Sequence, residues 1–196
     1  MKGESYKELP IGAGRRELTH AERLPAVEVA NEVKWVNPHI HAPFDVVEGK
    51  ATKLGVFVTI HKESKDLVVE GVVGHGRSAI LGHIIFEDDE GRKYRDVDAK
   101  GLGNITYWSG EPRVEAVRVT DQGVVRGILD YSAALKDALM SEEFSSHGIR
   151  TIRTIAITQL KEIVTNDAIK ERQEKISIDE AKKRRMLKLD SDPVVA

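Results

Sequence analysis

The chain has 196 residues, with 30 Lys and Arg against 32 Asp and Glu, and a formal net charge of −2. This balance gives no overall attraction to nucleic acid or to an anionic membrane, so neither is expected as a partner. With no cysteine, no secretory signal at the N-terminus and no continuous apolar stretch of roughly 18–20 residues, we expect a soluble, cytoplasmic protein.

Residues 1–50 are predicted to form an N-terminal extension. A short helix is expected to begin at Thr19, because Glu22 follows three residues later in the pattern of a capping box. The segment WVNPHIHAPFD contains two prolines and is expected to be irregular.

Residues 51–100 change to short runs rich in Val and Ile: GVFVTIH, DLVVEGVV, SAILGHIIFE and YRDVDAK. The connections between them are short, which predicts four strands joined by antiparallel hairpins. The clearest hairpin turn is EDDEGRK. In DVDAK, alternation places Val97 and Ala99 on one face of the strand and Lys100, with two aspartates, on the other.

Residues 101–160 are predicted to contain a loop, a strand at VEAVRV, one helix and a further strand at RTIRTIAITQL. Ser132 is the candidate N-cap of the helix, and Gly148 is a typical stop. The positions that fit a helical stripe are Ile128, Tyr131, Leu135, Ala138, Leu139 and Phe144.

Residues 161–196 are rich in charged side chains and are predicted to form a charged helical tail or linker, with a capping box at Ser177 and Glu180. The final PVVA has the composition of a strand. The predicted fold class is therefore α+β: an antiparallel sheet of about five strands with one packed helix, plus the charged tail.

The stretch GVVGHGRSAILG, residues 71–82, contains the candidate binding turn. Gly74, Gly76 and Gly82 could let backbone N–H groups approach a polyphosphate closely. The alternative is that these glycines only allow a tight turn between two strands.

Two charged residues could complete a phosphate site behind this turn. Lys100 ends its strand one hairpin later and could reach the phosphates, and Glu142 on the helix could orient that lysine. Glycine turn, strand lysine and helix glutamate follow one another as in the N-lobe of a protein kinase, so residues 51–160 are predicted to form a kinase-like N-lobe. The alternative is that both residues are solvated surface charges.

Two segments carry a family resemblance over residues 71–158. The stretch GHGRSAILGHIIFEDDEGRKYRDVDAKGLG is similar to the region of selenoprotein O-type pseudokinases in which a GDGRA-like segment leads through a hairpin to a strand ending in LKGAG. The stretch VVRGILDYSAALKDALMSEEFSSHGIRTIRTIAI resembles that family's arginine-led segment, SEAM helix and GIPTTRA turn. Arg126, residues 141–142 and residues 148–153 stand at the equivalent positions.

The resemblance implies a kinase-like fold that binds ATP in a flipped orientation and transfers AMP to protein hydroxyl groups, with Mg²⁺. It places Lys100 on the phosphates and Glu142 beside Lys100. Gly74, Gly76 and Arg77 would cover the nucleotide, and Arg126 would lie near its phosphates. The family's C-lobe segments, which supply the catalytic and metal-binding side chains, have no counterpart here, so the chain alone is expected to bind nucleotide without catalysis. Its partners would be ATP and a protein substrate or the missing C-lobe.

The second functional hypothesis is a non-enzymatic structural or interaction module, such as an assembly subunit that forms a homo-oligomer through a sheet edge. A third, minor possibility is a metal site at His39 and His41, whose imidazoles would share one face of a strand.

Overall fold

The computed structural model describes residues 22–42, 44–61, 67–71, 76–108, 111–167, 170 and 172–196. This described part contains sixteen β-strands and two α-helices. In chain order they are β1 (Glu22–Glu28), β2 (Asn31–Val36), β3 (Ile40–His41), β4 (Val56–Val58), β5 (Val68–Gly71), β6 (Ser78–Asp88), β7 (Lys93–Lys100), β8 (Asn104–Trp108), β9 (Glu111–Glu115), β10 (Arg118–Val119), β11 (Val125–Arg126), β12 (Leu129–Asp130), α1 (Tyr131–Ser146), β13 (Ala156–Leu160), β14 (Glu162–Asp167), β15 (Arg172–Ser177), α2 (Ile178–Lys183) and β16 (Pro193–Val195).

The larger sheet has six antiparallel strands in the order β3-β6-β5-β1-β4, with β7 also paired to β6. The four strands predicted from the Val- and Ile-rich runs are confirmed as β4, β5, β6 and β7. Strands β5, β6 and β7 form successive hairpins, but β4 does not pair with β5, because β1 lies between them. The predicted sheet of about five strands is therefore too small.

The turn between β6 and β7 confirms the EDDEGRK hairpin. Gly91 adopts a φ of +70° there, and the carboxylate of Asp88 accepts hydrogen bonds from the backbone N–H groups of Glu90 and Arg92. In β7, Val97 and Ala99 are buried as alternation predicts.

The helix predicted from Thr19 is wrong over the described residues, since residues 22–28 form β1. Thr19 itself lies outside them. Leu24 and Ala26 are both buried, which is the two-residue alternation of a strand, and Pro25 would remove a hydrogen bond from a helix interior. Residues 22–25 of β1 pair with β5, and residues 26–28 pair with β4.

The second sheet has four antiparallel strands in the order β12-β16-β13-β2. The predicted C-terminal strand is confirmed as β16, which is fully buried between two neighbours. Two backbone hydrogen bonds then join the sheets: Lys100 N to Ala196 O at 2.8 Å and Ala196 N to Lys100 O at 3.1 Å. The end of β7 is therefore held from both sides, by β6 and by the residue after β16.

The predicted helical tail contains more strand than helix. Strands β14 and β15 pair along six residues each. They contain buried Ile163, Val164 and Ile176 in addition to their charged residues, and these apolar side chains stabilise the pair. The helix predicted at Ser177 is confirmed only as the six-residue α2, whose cap Ser177 accepts a hydrogen bond from Glu180 N. Strands from before residue 50 and after residue 160 thus belong to the same sheets as residues 51–160. The remaining two-stranded ribbons are β8-β9 and β10-β11.

Helix α1 packs on β12, β13 and β16 through small side chains. The buried residues of α1 are Ala134, Ala138, Ser141 and Ser145. The predicted apolar stripe is wrong at Leu139 and Phe144, which are exposed. The N-cap is Asp130 rather than Ser132, whereas Gly148, with a φ of +74°, ends the helix as predicted. In the described part of the chain, neither helix combines the length and the apolar character needed to cross a membrane.

Candidate functional site

Lys100 stands at the end of β7 and reaches the first half of α1. Its Nζ lies 3.2 Å from Oδ2 of Asp137. The side chains are 40% and 60% exposed, so this ion pair adds little to stability. Such a pair can instead hold the lysine in one direction and leave it accessible to an anion from solvent.

The turn that enters β6 lies directly beside Lys100. Ser78 is the cross-strand partner of Lys100, and the carbonyl of Arg77 accepts a hydrogen bond from Gly101 N at 2.8 Å. The carbonyl of Gly76 accepts one from Ile105 N at 2.9 Å. The backbone of this turn is therefore fixed against the segment that follows Lys100. Gly74 lies outside the described residues.

The side chain of Arg77 is half-buried and has a structural partner. Its Nη1 donates to the carbonyl of Ile128 at 3.0 Å, which ties the turn to the strand before α1. Arg126 lies two residues earlier, on β11, and is exposed. The fold thus brings Gly76, Arg77, Lys100 and the backbone beside Arg126 to one end of the larger sheet.

The predicted contact between Glu142 and Lys100 is wrong, because Asp137 is the partner of Lys100. Asp137 and Glu142 are five residues apart, which turns them about 140° from one another on a helix and separates them by about 7.5 Å along its axis. A helix that directs Asp137 toward Lys100 must therefore direct Glu142 elsewhere.

Glu142 belongs to a separate charged network at the other end of α1. Its Oε1 accepts hydrogen bonds from Nε of Arg153 at 2.8 Å and from Nδ2 of Asn37 at 2.7 Å, and its Oε2 accepts one from Nη2 of Arg153. Burial opposes ionisation of Glu142, but the bonds from Arg153 and Asn37 outweigh it and hold its pKa below the usual value. The hydrogen bonds that Arg153 donates to Glu142 in turn raise the pKa of Arg153.

Arg153 also binds the carboxylate of Asp88, which begins the hairpin turn between β6 and β7. Nη1 of Arg153 lies 2.6 Å from Oδ2 of Asp88, and Nε of Arg92 lies 2.7 Å from the same oxygen. Burial opposes ionisation of Asp88, but the side-chain and backbone hydrogen bonds from Arg92 lower its pKa to about 2. The network therefore joins the hairpin, α1 and the end of β2.

This network lines a cleft of about 500 Å³ between the hairpin turn and the second half of α1. Its two arginines, Arg92 and Arg153, are bonded to its carboxylates. Arg153 and Asp88 are paired and 3% and 1% exposed, whereas Lys100 and its partner Asp137 are 40% and 60% exposed. We therefore assign the cleft a structural role and place the candidate anion site at Lys100.

The two histidines of HIHAPFD contact a single carboxylate. His39 Nδ1 lies 3.1 Å from one oxygen of Asp89, and His41 Nε2 lies 2.9 Å from the other. Among the residues that the structure describes, no group of three or more His, Asp or Glu side chains is arranged to hold a metal ion.

Sequence reasoning missed both Asp137 and Arg153. The small residues at 134, 138, 141 and 145 were the available signal, because their helical spacing marks the face that lies close to a sheet. Asp137 and Glu142 border that face on opposite sides, so this spacing alone does not choose between them. Comparison with protein-family models, with curated proteins and with solved structures found no match to this chain.

Proposed function

We propose that this chain is a nucleotide-binding unit, the N-terminal portion of a selenoprotein O-type protein AMP-transferase, and that Lys100 binds the phosphates of ATP. The observation that carries the proposal is the ion pair between Lys100 and Asp137 beside the turn of Gly76 and Arg77. In protein kinases a glycine-rich loop covers the phosphates, and a lysine on the third strand pairs with a carboxylate of the following helix.

The order of elements supports this reading. The turn joins β5 to β6, Lys100 ends the third strand of that series, β7, and the next helix along the chain, α1, supplies Asp137. The pairs between β6 and β7 hold the lysine next to the turn. We assign to Asp137 the role that the resemblance implied for Glu142, and Gly76, Lys100 and Arg126 remain the proposed contacts of the nucleotide.

The chemistry of the site suits a phosphate anion. A lysine ammonium binds phosphate as a point charge, and backbone N–H groups in a glycine turn add hydrogen bonds. When bound, ATP would supply the AMP group for transfer to a protein hydroxyl, with pyrophosphate released. The Mg²⁺ ligands are expected outside this chain, so the proposal for this chain extends to binding alone.

Calorimetric titration with ATP, with and without Mg²⁺, tests the proposal. Lys100→Ala should weaken binding about ten- to one-hundred-fold, the loss expected for one charge-assisted contact. Lys93→Ala is the matched control, because Lys93 starts the same strand, is more exposed and pairs with Glu87. Equal affinity in wild type and Lys100→Ala would refute the proposal.

The second candidate is a non-enzymatic interaction module, and the outer surface of α1 favours it. Leu139, Met140 and Phe144 are exposed there, and Ile149 and Ile152 are exposed just after the helix. Exposed apolar groups of this kind often mark contacts with another polypeptide. This candidate predicts no ATP binding and a change in sedimentation on Leu139→Ser and Phe144→Ser, whereas the nucleotide proposal predicts ATP binding in both variants.

A further inference from the structure

The ribbon of β10 and β11 places two arginines side by side. Arg118 is the direct cross-strand partner of Arg126, and Val119 is the partner of Val125. Residues directly opposite in an antiparallel pair project from the same face, with Cβ atoms about 4.5–5.5 Å apart. Both arginines are exposed, whereas both valines are half-buried and Val125 packs against the main core. The ribbon thus has an apolar inner face and a cationic outer face.

The positive charge of this pair is not neutralised within the described part of the chain, where neither guanidinium has a hydrogen bond or an ion pair. Two carboxylates lie three residues from Arg118: Glu115, which accepts a hydrogen bond from Nδ2 of Asn104 at 3.4 Å, and Asp121, in the turn between β10 and β11. Like charges directly opposite one another destabilise a strand pair. A bound anion between the two guanidinium groups would remove that repulsion.

The ribbon is anchored at the candidate phosphate site. Gly103 N donates to the carbonyl of Gly127 at 3.0 Å, and a Cβ on Gly127 would lie 2.4 Å from Asn104 N. Arg126 immediately precedes Gly127, and Gly103 is three residues after Lys100. The carbonyl that Arg77 binds belongs to Ile128, immediately after Gly127. Arg126 therefore adjoins backbone that is hydrogen-bonded both to the segment after Lys100 and to the side chain of Arg77.

We propose that Arg118 and Arg126 together bind the phosphate tail of a nucleoside triphosphate, as a clamp of two guanidinium groups. The nucleotide part of this proposal rests on the proposed function, and Arg118 is its new residue. Each guanidinium presents a planar fork of N–H donors that can bind two phosphate oxygens at once. Two forks on one face suit a polyphosphate better than a single carboxylate.

Titrations with ATP and with inorganic tripolyphosphate test the clamp. Arg118→Gln and Arg126→Gln should each weaken the binding of both probes about ten-fold or more, because each removes a charge-assisted contact. Arg118→Lys should recover only part of the loss, since it keeps the charge and loses the fork. Arg95→Gln is the matched control, because Arg95 is an exposed strand arginine that contacts the carboxylate of Asp96.

The outcomes separate the clamp from the nucleotide proposal. If Lys100→Ala abolishes ATP binding and Arg118→Gln has no effect, the clamp is refuted and the proposed function stands. If the arginine variants lose tripolyphosphate and Lys100→Ala keeps full ATP affinity, the proposed function is refuted and the clamp stands as an anion site. If wild type binds neither probe, both are refuted.

The unliganded stability of the same variants provides an independent readout. Arg118→Gln should unfold at the same temperature as wild type or higher, because the repulsion between the two arginines is relieved. A clearly lower unfolding temperature would show that Arg118 has a stabilising partner inside the protein, and this would overturn the clamp.

Discussion

Arg153 is the centre of the charged network, and its replacement by methionine tests whether that network holds α1 to the hairpin. The Arg153 side chain is 3% exposed and that of Asp88 1%, so the charges left behind would be buried. Breaking a buried ion pair by removing one partner costs about 3–5 kcal/mol. Asp88 would retain Arg92, and Glu142 would retain Asn37. We therefore expect a loss at the lower end, about 3 kcal/mol.

Urea unfolding at pH 7, followed by circular dichroism, measures this loss. Arg150→Met is the control, because Arg150 is exposed and its side chain donates a hydrogen bond to the backbone carbonyl of Lys93 rather than to a carboxylate. A surface change of that kind should lie within about 0.5 kcal/mol of wild type. A loss under about 1 kcal/mol in Arg153→Met, or equal losses in the two variants, would refute the reasoning.

Four further substitutions test other parts of the account. Gly127→Ala should destabilise the protein by more than the roughly 1–2 kcal/mol of a left-handed residue, because its Cβ would lie 2.4 Å from Asn104 N. Gly91 has a φ of +70° and nothing within 4 Å of an added Cβ, so Gly91→Ala should cost only the roughly 1–2 kcal/mol of the left-handed conformation. Equal losses of unfolding free energy in urea for Gly127→Ala and Gly91→Ala would contradict the close contact at Gly127. Ser177→Ala should cost about 0.5–2 kcal/mol through loss of the α2 cap, and no change would argue against the cap. The lowered pKa of Asp88 contributes stability that is fully present above the unfolded-state pKa near 3.8 and is lost as the pH falls through about 2. In acid unfolding, Asp88→Asn should therefore lose less stability over this range than wild type. The same pH dependence in both proteins would contradict this prediction.

Local patterns predicted the parts of the fold that depend on local chemistry. Alternating Val and Ile marked β4 to β7, the glycine at 91 marked the hairpin turn, and Gly148 marked the end of α1. The same reasoning failed where a partner distant in sequence decides the structure. The segment beginning at Glu22 contains a helix-start pattern, but pairing with β4 and β5 makes it a strand.

Charge content also misled the prediction for β14 and β15. Ile163 and its cross-strand partner Ile176 are buried on one face of this pair, and Val164 is buried on the other, so the many charged residues do not prevent a strand pair. In α1, the small side chains are buried against the sheet and Tyr131 and Leu135 pack beside them, whereas Leu139 and Phe144 are exposed. Hydrophobicity alone therefore assigned Leu139 and Phe144 to the wrong face.

The most direct test of the central claim is the change in backbone amide chemical shifts when ATP and Mg²⁺ are added to the labelled protein. The account predicts the largest changes at residues 76–78, at residues 100–103 and around Asp137, and their loss in Lys100→Ala. Changes centred instead on Asp88, Glu142 and Arg153 would place the nucleotide in the cleft between the hairpin turn and the second half of α1, and this would contradict the account.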